Sequence, residues 1–137
     1  MTGTKFKPIF VSFLAAAATL AVLGAAKVDE SKLPPPSTKT GITFDKDIKP
    51  LFERSCVECH GTEGRPKARL RLDTLEWVMK GAGGDEILKK GKSAESLLVH
   101  SIARIDEDSA MPPEGKGDPF TKEEVGLVRA WIDQGAK

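Results

Sequence analysis

Cysteine and histidine are scarce in this chain, with two of each in 137 residues. Both cysteines fall inside one five-residue run, so a disulfide framework is excluded. A zinc site has at most Cys56, Cys59, His60 and His100 to draw on, and adjacent Cys59 and His60 fit poorly as two ligands of one tetrahedral ion. An excess of one charge sign is also missing. With 21 basic and 20 acidic residues, the balance argues against nucleic acid or an anionic membrane surface as the main partner. No convincing strand, internal repeat or acid–base pair stands out, so no catalytic residue and no small-molecule substrate are expected.

The five-residue run is Cys56-Val57-Glu58-Cys59-His60, a C-x-x-C-H pattern. Two thiols three positions apart on a helical turn can reach the two vinyl groups of one porphyrin, and the following imidazole can ligate the iron. The pattern therefore predicts one covalently attached haem c, with Cys56 and Cys59 as thioethers and His60 as an axial ligand. A thioredoxin-like couple would need a strand before the motif, and the preceding residues read as helix.

The N-terminus has the three parts of a secretory signal peptide. Lys5 and Lys7 make a basic start, Ile9 to Leu23 is apolar, and Gly24-Ala25-Ala26 supplies small residues for cleavage. Residues 1–26 are expected to be removed. The alternative is an uncleaved membrane anchor, for which the stretch from Pro8 to Ala26 is marginally long. A mature chain from Lys27 would hold 111 residues, with 19 basic and 20 acidic among them, enough for one domain. Residues 27–40 carry Pro34-Pro35-Pro36 and read as an extended linker. The domain is expected over residues 41–137.

About four helices are expected in that domain, giving an all-α fold wrapped around one haem. The first runs into Cys56 with Phe44, Ile48, Leu51 and Phe52 on one face, and Pro50 limits it to a short turn followed by a helix from Pro50. The second has Asp73 as N-cap, Leu75, Trp77, Val78 and Met79 inside, and Gly81 as stop. The third starts at Ser93 and carries Leu97, Leu98, Ile102 and Ile105. The last opens with a capping box over Thr121 to Glu124, carries Val125, Val128, Trp131 and Ile132, and closes at Gly135. Residues 61–69, 81–84 and 106–118 read as loops. So small a helical domain buries limited apolar surface, and the haem would supply much of the core.

The second axial position is assigned to Met111, in Ala110-Met111-Pro112-Pro113, which lies 51 residues after His60. A thioether is a soft ligand that favours the reduced iron, and two prolines stiffen the loop that carries it. His100 and Met79 remain as alternatives. Arg65, Arg69 and Arg71 near the attachment motif are candidates to pair with the haem propionates, against the plainer possibility of a solvated basic stretch. Lys89, Lys90 and Lys92 are candidates for steering an acidic partner.

Taken together, these blocks resemble the planctomycete-type cytochrome c domain. The likeness runs from Phe44-x-x-x-Ile48-x-Pro50-Leu51-Phe52 and Cys56-x-x-Cys59-His60-Gly61 through Leu70-Arg71-Leu72-Asp73-Thr74 and Gly91 to Leu98, then Met111-Pro112-Pro113 and Trp131-Ile132-x-x-Gly135-Ala136. The resemblance implies the fold of class I cytochromes c, thioethers at Cys56 and Cys59, and axial ligation by His60 and Met111. It also implies a periplasmic electron carrier working with a periplasmic or membrane-bound redox partner. The alternatives are a haem-based sensor or peroxidase-like protein with a displaceable distal ligand, and a zinc module.

Overall fold

The computed structural model describes Met1 and residues 29–137. Among the described residues the domain is all-α, with no strand and one isolated antiparallel bridge between Ala82 and Asp85. The expected signal peptide and its cleavage point at Ala26 lie outside the described residues. No helix of the described residues is long and apolar enough to cross a membrane.

Five α-helices follow a π-turn at Phe44–Ile48: α1 (Lys49–Ser55), α2 (Val57–His60), α3 (Leu75–Lys80), α4 (Leu97–Ile102) and α5 (Lys122–Asp133). Pro50 falls in the first turn of α1, where its missing N–H removes no helical hydrogen bond. One expected helix becomes two because Cys56, with φ −128° and ψ −40°, breaks the run between α1 and α2. The turn of α2 then carries the rest of the attachment motif.

Two other helix starts differ from expectation. Thr74, not Asp73, caps α3, its hydroxyl accepting from the Trp77 N–H at 3.3 Å. Asp73 is held instead by Arg71, two residues earlier. The third helix divides at Ser96: a 3₁₀ turn at Ser93–Glu95 precedes α4, which leaves Leu97 on the first turn and 51 % exposed. The α5 start is as read, with Thr121 and Glu124 forming a reciprocal capping box.

Helix α5 is the spine of the core. Val125, Val128, Trp131 and Ile132 are buried along one face, and each such side chain contributes roughly 1.5–3 kcal/mol by leaving water. Trp131 meets Phe44 at 5.9 Å between ring centroids, Phe44 meets Phe52 at 6.1 Å, and Phe52 meets Phe120 at 6.3 Å. This aromatic chain ties α5 to the π-turn and α1. The Trp131 indole N–H also donates to the Lys137 carbonyl at 2.9 Å, so its one polar atom is satisfied in the core. Trp77, expected inside α3, is only half-buried, with the Arg71 guanidinium 4.5 Å and the Lys80 ammonium 4.2 Å from its ring centroid.

Residues 27–40, expected to hold the domain off as a linker, pack against it from Leu33 onward. Leu33 is buried, Arg129 donates to the Pro34 carbonyl, and the Gln134 side-chain amide donates to the Lys39 carbonyl at 2.8 Å. The prolines do keep the segment extended, but it lies as a strap along α5.

Candidate haem site

A cavity of about 270 Å³ opens beside the α1–α2 junction. Cys56, Cys59, His60 and Met111 all line it, so residues 51 positions apart in the chain meet at one void. Leu70, Leu72, Ile87, Leu98 and Ile102 make most of the remaining wall apolar.

The local backbone explains how the motif is presented. The His60 N–H donates to the Cys56 carbonyl at 2.8 Å, closing the turn that puts Cys59 and His60 beside Cys56. Gly61 must lack a side chain, because a Cβ there would lie 2.5 Å from the Val57 carbonyl oxygen. The Leu72 N–H donates to the His60 carbonyl at 2.7 Å, which draws residues 70–72 across as the next wall.

The His60 ring is oriented by a backbone acceptor. Its Nδ1 lies 3.3 Å from the Leu70 carbonyl oxygen, which can only accept, so Nδ1 carries the proton. The lone pair is then on Nε2, the tautomer that a metal-binding imidazole needs. Met111 is held by its own N–H, which donates to the Ser101 carbonyl at 3.0 Å. Arg104 steadies the same loop by donating to the Pro112 carbonyl at 2.6 Å.

Burial pushes the Cys56 thiol up to about 12, and the nearby Arg54 charge pulls weakly the other way. Cys56 is thus a protonated, apolar-faced thiol in the wall. The donor set of two thiols, one oriented imidazole and one thioether, around an apolar void, fits a covalently bound haem.

The alternative ligands are turned away from this cavity. The His100 Nε2 lies 2.6 Å from the Ala94 carbonyl, and the residue does not line the void. Met79 packs at the edge of the core and lines no part of it. Among the described residues no group of three or more His, Cys, Asp or Glu is arranged to hold a bare metal ion.

Neither Arg69 nor Arg71 lines the cavity. Arg71 forks onto Asp73 at 2.6 and 3.0 Å, since a carboxylate two residues away is within easy reach. Arg69 lies over the 81–84 turn, where a Cβ on Gly83 would come within 2.7 Å of its guanidinium carbon. The cations that do line the cavity are Arg54 and Lys116, neither of which sequence reasoning singled out. For Arg54 the signal was its place two residues before Cys56, at the end of α1.

A small all-α domain with this donor set around an apolar cavity is a haem-binding cytochrome. Residues 56–115 match the family model of Planctomycete cytochrome C, a span that includes both the attachment motif and Met111. The match supports a planctomycete-type cytochrome c domain over those residues. No curated protein and no solved structure matches it.

Proposed function

We propose that this protein is a periplasmic electron carrier with a single haem c, attached through Cys56 and Cys59 and ligated by His60 and Met111. The observation that supports this most is the shared cavity, which is lined by all four side chains and lacks both alternative ligands. A bound haem supplies one-electron chemistry between ferric and ferrous iron. The Leu70 carbonyl keeps the His60 Nε2 lone pair aimed by holding the proton on Nδ1. The Met111 thioether favours the reduced state and so raises the potential. The apolar walls offer a haem ring a surface to pack on. A periplasmic or membrane-bound redox protein is the partner this role requires.

A pyridine haemochrome spectrum combined with the mass of the purified protein counts the attached haem, with one expected. The oxidised protein should show a weak methionine-to-iron absorption band that is lost in Met111→Ala, together with a lower reduction potential. Survival of the band removes Met111 as ligand. Rapid carbon monoxide binding by the reduced native protein would favour a displaceable distal site, as in a sensor.

A further inference from the structure

Besides His60, three ionisable side chains of fixed charge line the cavity: Arg54, Glu58 and Lys116. Glu58 and Lys116 are exposed, make no ion pair among the described residues and carry opposite signs, so solvent screens them. Arg54 is held differently. It forks onto the two Glu124 carboxylate oxygens at 2.6 and 2.9 Å, donates from Nε to the Ser55 hydroxyl at 3.1 Å, and lies 5.8 Å from the Phe120 ring centroid. Its side chain is 38 % exposed and that of Glu124 19 %.

Glu124 does not line the cavity. It sits behind Arg54, on the first turn of α5, locked by the capping box with Thr121. The pair is therefore an oriented dipole with its positive end in the cavity wall. That positive end reaches the site, since Arg54 and Cys56 line the same cavity, and its charge favours the ionised form of the Cys56 thiol against the larger opposing effect of burial.

We propose that the Arg54–Glu124 pair tunes the reduction potential of the haem in this cavity, Arg54 raising it and Glu124 partly offsetting it from behind. The inference rests on the haem-carrier reading above. Reduction transfers one electron from the redox partner to the iron, with no proton or bond change, so the net charge of the site falls by one. A fixed positive charge in the wall stabilises that lower-charge state, and the partner carboxylate works against it.

The test is a spectroelectrochemical titration of the haem-loaded protein at neutral pH. Arg54→Gln should shift the potential negative. Glu124→Gln should shift it positive by a smaller amount, since Glu124 is farther from the cavity. Glutamine at this position keeps the capping box, so the helix start survives. Arg54→Lys retains the charge and should stay near the native value, although it loses the fork. A purely structural role predicts something else: both Gln variants would loosen the same contact and shift the potential in the same direction. Same-direction shifts, absence of a shift, or Arg54→Lys behaving like Arg54→Gln would overturn the proposal. Failure to find covalent haem by the haemochrome assay would instead sink the carrier reading itself.

Discussion

The Ser37 N–H donates to the Gly126 carbonyl at 2.9 Å, and this bond fixes the strap where α5 has no side chain. A Cβ on residue 126 would lie 2.7 Å from the Pro35 carbonyl oxygen, closer than backbone can tolerate. In an isolated helix Gly→Ala gains about 1 kcal/mol. Here the clash with a backbone oxygen decides the sign. Gly126→Ala should destabilise the domain by roughly 1–3 kcal/mol, read as a lower midpoint in thermal or urea unfolding. An unchanged or higher midpoint would show that the strap is not held at this point.

Acid should weaken the domain through Glu124. The Arg54 guanidinium, hydrogen-bonded to it, holds this carboxyl below the ordinary glutamate value of 4.5, outweighing the effect of partial burial. The unfolded chain takes up that proton first as pH falls, so folding is favoured by the lowered value only while the carboxylate stays ionised. The contribution is complete above the ordinary value and drains away as pH drops through the lowered one. Melting temperature followed over that range should fall less steeply in Glu124→Gln than in the native protein.

Asp133 satisfies a buried serine. Its carboxylate accepts from the Ser93 N–H at 2.8 Å and from the Ser93 hydroxyl at 2.9 Å, and Arg129 donates to the same hydroxyl at 3.1 Å. Ser93 is buried, so water cannot replace these bonds. Asp133→Ala should cost about 1–3 kcal/mol per orphaned donor, and Asp133→Asn less, because one acceptor remains. Denaturant unfolding of the two variants tests that order.

Loss of the haem should be more damaging than any of these single changes. The apolar side chains Leu70, Leu72, Ile87, Leu98 and Ile102 line the cavity, and without a haem against them they lose the packing that a domain of this size depends on. The Cys56→Ala/Cys59→Ala protein, made without attached haem, should lack a cooperative thermal transition by circular dichroism. A sharp transition like that of the haem-loaded protein would show that the core does not depend on the cofactor.

What was legible in the sequence was local. The C-x-x-C-H run and the Thr121–Glu124 capping box each depend on residues within one helical turn, and spacing alone specifies both. The α5 face was legible for the same reason, since its apolar period is long and uninterrupted. The choice of Thr74 over Asp73 as cap turned on a competition, because Arg71 claims the aspartate. The strap was not legible because its fit depends on Gly126, which no local pattern links to Pro35. Arg54 was passed over because its partner Glu124 is 70 residues away, while Arg69 and Arg71 drew attention by sitting after the motif. For Arg54, a partner 70 residues away holds the cation at the cavity wall.

The strap has a kinetic consequence. The bonds from Arg129 to Pro34 and from Gln134 to Lys39 each span 95 residues, and the Phe44 N–H reaches the Lys137 carbonyl at 2.7 Å. Closing so long a loop carries an entropic cost that is recovered only when the far helix is already in place. The strap is therefore expected to dock late, with its contacts unformed in the folding transition state. Changes within it should speed unfolding and leave folding rates nearly intact, which would make these few residues a latch on the lifetime of the folded domain.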